Sequence, residues 1–196
     1  MTTQLEARKI LDSSANPAPL GLMGFGMTTI LLNIHNIGLF ELNSMILGMG
    51  IFSGGLAQIF AGLNESKKGN TFASTAFTSY GAFWLSFVML QILPKLGLGE
   101  PASQVSMGFY LLIWGIFTGL LFTATLKLTK ALQVVFGSLT LLFLLLAIKD
   151  FTGISIIGNI AGYVGIFCGL SAMYTAIAEI LNDVYKVVIL PLGYEK

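Results

Sequence analysis

The chain has 196 residues, 55% of them hydrophobic and only 10% charged, with a formal net charge of +1 and a mean hydropathy of +0.85. An ordinary soluble domain is roughly 25% charged, so this composition excludes a water-soluble globular protein and points to a polytopic membrane protein. A charge balance this close to zero, with no basic run longer than a pair, also excludes nucleic acid or an acidic polymer as partner.

Residues 1–15 form a charged tail, too polar for the apolar core of a cleaved secretory signal. The next stretch, Asn16-Pro17-Ala18-Pro19-Leu20-Gly21-Leu22, joins a cap residue, two prolines and a glycine at the edge of the first apolar segment. Pro19 holds Ala18 out of the helical region and itself suits a first turn, so a helix is expected to start near Pro19. Asn16 is placed to satisfy exposed backbone donors. The free N–H groups and positive dipole end of that helix favour a small anion in front of it.

A helix needs about 20 mostly apolar residues to cross the hydrocarbon core. Six stretches qualify once short polar breaks are read as loops: 19–34, 42–63, 71–93, 105–126, 132–148 and 154–181. The first and fifth are short, and the first has room to continue through Asn33 and His35 toward Phe40. The expected architecture is an all-α membrane protein, with six transmembrane helices in a compact glycine-rich bundle over residues 16–181 and a tail at 182–196. Cytoplasmic loops retain Lys and Arg. Arg8, Lys9, Lys67, Lys68, Lys127, Lys130, Lys186 and Lys196 fall on one side, against Lys95 and Lys149 on the other. Both termini, and the Asn16 motif with them, are therefore expected on the cytoplasmic side of the cell membrane.

Many of the 23 glycines recur at spacing four inside these spans: Gly50 with Gly54, Gly115 with Gly119, Gly158 with Gly162, Gly165 with Gly169. In the sixth span Gly158, Gly162, Gly165, Gly169, Ala172 and Ala176 run along one face as a small-residue seam. The seam reads first as a packing face, within or between subunits, and second as a smooth pore wall. In the third span Phe77, Tyr80, Trp84 and Phe87 share one face, and Thr75, Ser79, Ala82 and Ser86 another. The aromatic stripe is either packing or, through the donors of Tyr80 and Trp84, the wall of a narrow path.

Ionisable groups are nearly absent from the spans. Glu179 is the one candidate for a proton-linked role, although near Asn182 and Asp183 it also simply reaches the interface. Gln58, Gln91, Gln133, Asn33, Asn159 and Ser138 are neutral, and each needs a hydrogen-bond partner or a wet cavity. His35 reads as a capping or interfacial residue, and Cys168, the single cysteine, as a small buried hydrophobe. With one histidine and no HExxH, GxSxG, P-loop or intramembrane acid pair, hydrolysis, metal chemistry and ATP-driven pumping lack their groups. What remains is passage of something small, without cofactor or metal, through a protein surrounded by lipid.

The motif at 16–22, followed by Met23-Gly24-Phe25-Gly26-Met27-Thr28-Thr29, resembles the acetate uptake transporter family, and within it the bacterial succinate-acetate permeases. The same likeness runs through Gln58-Ile59-Phe60-Ala61-Gly62, Lys67-Lys68-Gly69-Asn70-Thr71-Phe72, Ala76-Phe77-Thr78-Ser79-Tyr80-Gly81, Pro94-Lys95-Leu96-Gly97-Leu98 and Leu141-Leu142-Phe143. It extends from Asn16 to about Gly193. The resemblance implies six helices per subunit, a hexamer, and a separate path in each subunit for acetate and, in some members, succinate or other short carboxylates. By motif position it puts the hydrophobic constriction on Phe25, Tyr80 and Leu139, the last through Leu132-Gln133 and Ser138-Leu139. The N-terminal tail is longer than such a permease needs, and the segment 187–189 is unusually apolar.

On that resemblance the substrate-binding and vestibule residues are Asn16, Pro17, Ala18, Pro19, Leu20, Gly21, Leu22, Thr28, Gln58 and Trp84. Asn16, Gln58, Tyr80 and Trp84 are expected to replace water as neutral donors, while the methyl group of acetate passes Phe25 and Leu139. Whether the path acts as a channel or a proton-coupled permease stays open. One rival is a neutral-solute channel of the water and glycerol type, suggested by Asn16-Pro17-Ala18. Those channels carry two such motifs and a pore arginine, whereas the only arginine here is Arg8. The other rival is a non-transporting membrane sensor or assembly protein.

Overall fold

A computed structural model of the chain describes residues 15–194, so most of the N-terminal tail lies outside the described residues. Six helices are long and apolar enough to cross a membrane: α1 (Ala18–Asn36), α2 (Ser44–Lys67), α3 (Thr71–Ile92), α4 (Gln104–Thr125), α5 (Lys130–Thr152) and α6 (Ser155–Tyr185). Short polar side chains fix where they begin. Asn43 accepts from the Met45 N–H at 3.0 Å, Asn70 from Ala73 at 3.2 Å, Ser103 from Ser106 at 3.2 Å and Thr129 from Leu132 at 3.2 Å. Each bond satisfies one of the orphan donors of a first turn.

The six expected spans are recovered, with their ends moved by up to about four residues. α1 starts at Ala18, one residue earlier than the rule for a residue before proline suggests. Pro17 already has helical angles (φ −82°, ψ −14°) and Asn16 Oδ1 accepts the Ala18 N–H at 3.1 Å, so the turn is closed from outside. Pro19 then lies in the first turn, where its missing N–H breaks no bond. α2 and α6 run on past 63 and 181 to Lys67 and Tyr185.

Inside α2 the winding widens over Gly50–Ala57 to π-type i→i+5 bonding. Side chains serve carbonyls at its start and in its middle. Thr28 donates to the Gly24 and Met49 carbonyls at 2.8 and 3.3 Å, and Gln58 Nε2 donates to Gly54 O at 2.7 Å.

α1 packs on α6, α2 on α3, and α5 between α4 and α6. The small-residue seam of α6 lies against α1, with Gly162 facing Asn33 and Ile37, Gly165 the Asn33 side chain, and Gly169 the Gly26 carbonyl. The seam is thus an intramolecular contact. The aromatic face of α3 turns inward, with Phe77, Tyr80 and Trp84 buried, and meets α4 through Phe83–Trp114 and Tyr80–Phe117 at centroid separations of 5.2 and 5.9 Å. After α6 the chain folds back. The Asn182 side chain accepts from the Ile189 and Leu190 N–H groups and donates to Leu190 O, and Gly193 O accepts from Lys130 N at 2.9 Å. Phe109, Ile113, Ile116 and Leu120 of α4 are left on the outer surface.

Candidate functional site

Phe25 of α1, Tyr80 of α3 and Leu139 of α5 meet inside the bundle. The Phe25 and Tyr80 rings are 6.0 Å apart, and both residues line, with Leu139, a cavity of about 20 Å³. That is room for about one water. Leu22, Gln58, Ala76, Phe77, Val135 and Phe136 complete its wall, which is almost wholly hydrocarbon. Tyr80 is held from behind by Trp114, Phe117 and Phe136, with ring centroids at 6.1, 5.9 and 6.1 Å. Its hydroxyl donates to Thr118 Oγ1 at 2.9 Å. Helices α1, α2, α3 and α5 therefore close the constriction, while α4 and α6 support them.

On one side a cavity of about 150 Å³ shares Leu22, Ala76, Phe77 and Phe136 with the constriction. It adjoins, through Ala18, Asn70 and Glu179, a wide mouth of about 590 Å³. On the other side, Leu32 and His35 of α1, Phe83 and Phe87 of α3, and Leu146 and Lys149 of α5 line a second mouth of about 260 Å³. These residues follow Phe25, Tyr80 and Leu139 by up to ten positions along the same helices, about 1.5 Å of rise per residue. Two mouths and a constriction thus lie in line, with the narrowest point in the middle.

The first mouth differs from its expected form. Asn16 Nδ2 donates to Glu179 Oε2 at 2.8 Å while Asn16 Oδ1 takes the Ala18 N–H, so the protein's own carboxylate already stands near the positive end of α1. Glu65 is a second carboxylate here, only 3% exposed, accepting from Asn70 Nδ2 at 2.8 Å beside Lys68. Sequence reading passed over Glu65, because an acid near the polar end of a span looks like a solvated one. The available signal was Asn70, five residues on, which both caps α3 and reaches back. An Asn16→Ala variant loses a cap worth about 1 kcal/mol together with the donor to Glu179. Its melting temperature in detergent is expected to fall by about 3 °C.

Of the other candidates, Ala18 and Leu22 reach the cavities, whereas Leu20 is exposed on the outer surface and Gly21 backs onto the Phe77 ring. Pro17 and Pro19 shape the start of α1. Thr28 is buried against Gly24 and Met49, and Trp84 packs on Gly54; neither lines the cavities above. Buried atoms without a partner among the described residues are Thr29 Oγ1, Gln58 Oε1 and Trp84 Nε1. Of the donor role expected of Gln58 and Tyr80, Tyr80 gives its one hydrogen to Thr118 Oγ1, whereas Gln58 Nε2 gives one of its two to Gly54 O and keeps the other. In the second mouth, Lys149 pairs with the mostly buried Asp150 at 2.8 Å, and His35 Nδ1 donates to Phe40 O at 2.8 Å.

The succinate-acetate/proton symporter SatP of Escherichia coli is 58% identical to this chain over 179 residues, 91% of this chain and 95% of that protein. Ammonia transport outward protein 2 of Saccharomyces cerevisiae is 38% identical over 174 residues, 85% of this chain and 61% of that protein. A solved structure of the bacterial acetate channel SatP superposes with a TM-score of 0.91 at 57% identity, covering 92% of this chain and 99% of the other. The six-helix bundle, the absence of an enzymatic constellation from the motifs and the likeness to membrane transporters agree. The profile of the GPR1/FUN34/yaaH family matches residues 2–193, and this chain is a membrane protein of that family.

Proposed function

We propose that this protein carries acetate and related short carboxylates, succinate among them, across the cytoplasmic membrane through a path inside each copy. The reading rests above all on the two mouths lying in line across a constriction of Phe25, Tyr80 and Leu139. It is supported by 58% identity to a succinate-acetate symporter. Such a ring, with room for about one water, rejects hydrated ions by dewetting and admits a small solute with an apolar end. Asn16, Ala18, Leu22, Gln58 and Glu179 line the route from the first mouth, and Pro17, Pro19, Leu20, Gly21, Thr28 and Trp84 hold the helices that form it. The distribution of basic residues puts that mouth, and both termini, on the cytoplasmic side. Copies assemble as a homo-oligomer, a hexamer by family resemblance, through the outer apolar faces of helices such as α4.

Purified protein in liposomes is expected to take up labelled acetate well above protein-free vesicles. Unlabelled propionate or succinate should compete, while glycerol and ammonium should not. Competition by ammonium alone would favour the chemistry named for the yeast relative. Glycerol or water flux without acetate flux would favour a neutral-solute channel, and no flux at all would favour a non-transporting role.

A further inference from the structure

The two mouths differ in charge. The wall of the first holds Glu65, Glu179 and Asp183 against Lys68, so an arriving anion meets an excess of carboxylates. The wall of the second holds one lysine, Lys149, and one acid, Asp150. Gly158 of α6 makes room for that lysine. A Cβ there would stand 3.4, 3.8 and 3.9 Å from Lys149 Cγ, Cε and Cδ, so the hydrocarbon stem lies across a glycine while the side chain stays 40% exposed. The ammonium gives one N–H to Asp150 Oδ1 at 2.8 Å and has two left. Asp150 is the buried member of the pair, so the pair is anchored in the protein and its cation faces the mouth. Neutral donors stand on the same wall. Gln91 of α3 has no side-chain partner among the described residues, and Asn36 of α1 gives one amide hydrogen to Asn33 Oδ1 at 3.0 Å and keeps the other. The rest of the wall is largely hydrocarbon, with Leu32, Phe83 and Leu146 on the helices that lead to the constriction.

We propose that the second mouth is a holding site for the carboxylate group of a short acid, bound by the Lys149 ammonium with the Gln91 and Asn36 amides as further donors. The proposal rests on the carboxylate-transport reading, with this mouth facing outward. A carboxylate accepts hydrogen bonds and carries charge, which suits an ammonium with two unused N–H groups. The hydrocarbon end of the acid then lies on the apolar wall, ahead of its carboxylate on the way to the constriction. Asp150 competes with the solute for the same cation. That competition keeps the hold weak, as a conducting path requires, because a solute bound too tightly does not leave. Lys149 and Asp150 thus act in opposite senses, the one drawing the carboxylate in and the other limiting its stay. An ion pair that only braces α5 would behave differently, since losing either partner would harm the protein in the same sense.

The test measures initial uptake of labelled acetate against its concentration, in intact cells whose only acetate permease is this protein or a variant of it. Lys149→Gln keeps an amide donor for Asp150 and removes the charge. It is expected to raise KM about fivefold, with the maximal rate within about twofold of wild type, as suits a partly exposed charged contact. Asp150→Asn frees the ammonium and is expected to lower KM about threefold on the same grounds. Added salt screens an exposed charge, so it should bring the wild-type KM toward that of Lys149→Gln. KM values unchanged in both variants, or raised in both, overturn the holding site and leave acetate transport standing. Wild-type uptake no greater than in cells without the protein overturns both. Where Lys149→Gln does not reach the membrane, Asp150→Asn decides alone, and a KM that fails to fall overturns the site.

Discussion

Phe25→Ala is expected to admit bulkier acids, raising uptake of four-carbon and branched monocarboxylates relative to acetate by at least about tenfold. The reasoning begins with the size of the opening. A cavity of about 20 Å³, walled by Phe25, Tyr80 and Leu139, holds back chains that are longer or branched. One methylene too many in a fitted apolar site is worth about 10- to 200-fold in discrimination. Removing a whole phenyl ring releases at least the lower bound. The remaining wall should stay in place, since Tyr80 keeps Trp114, Phe117 and Phe136 and its bond to Thr118. Phe→Ala changes in packed cores cost about 3–5 kcal/mol, and this one sits beside existing space, which puts it at the low end. Displacement of labelled acetate by unlabelled acids of rising chain length measures the effect. The same order of potency in variant and wild type would show that the narrowest point lies elsewhere.

Gly169→Val is expected to abolish uptake and lower the melting temperature by about 10 °C. A Cβ at 169 would stand 2.7 Å from the Gly26 carbonyl oxygen, and a Cβ at 26 would stand 2.7 Å from the Gly169 carbonyl oxygen. Both obstacles are backbone atoms that no rotamer change can move, so α1 as a whole must retreat. Overpacking costs typically about 1–3 kcal/mol, and a backbone obstacle belongs at the upper end, where a chain of this size loses about 2–4 °C per kcal/mol. Phe25 is the neighbour of Gly26, so the retreat of α1 also pulls the constriction apart. Gly119→Ala is the control. Its Cβ would find only Thr140 Cγ2 at 3.5 Å, an ordinary contact, and the variant should behave as wild type. Equal melting temperatures and uptake for the two variants would refute the close approach of α1 and α6.

The bundle was legible because its causes are long-range in composition and short-range in chemistry. Twenty apolar residues read as a span whatever they pack against, and Asn43, Asn70, Ser103 and Thr129 mark starts through bonds to their own first turns. The glycine period of α6 likewise identified a close-packed face, although its partner α1 came only with the structure. What escaped depends on contacts distant in sequence. The π-wound stretch of α2 has no signature of its own, and its Gly54 and Gly55 face Trp84 and Leu85 of α3. The burial of Glu65 follows from the α2–α3 turn closing over it. The inventory of polar side chains singled out Gln58 and Tyr80, which line the small cavity beside Phe25, yet it could not tell which of their atoms Gly54 and Thr118 would use up.

The four helices that close the constriction belong to one chain. Under the function proposed above, each copy then carries a whole path of its own, whatever the size of the assembly. A cell making one intact and one gate-defective allele would therefore keep transport in proportion to its intact copies. On that reading, defects confined to the constriction are expected to behave as recessive traits, and dominant ones to map to the outer faces of the bundle.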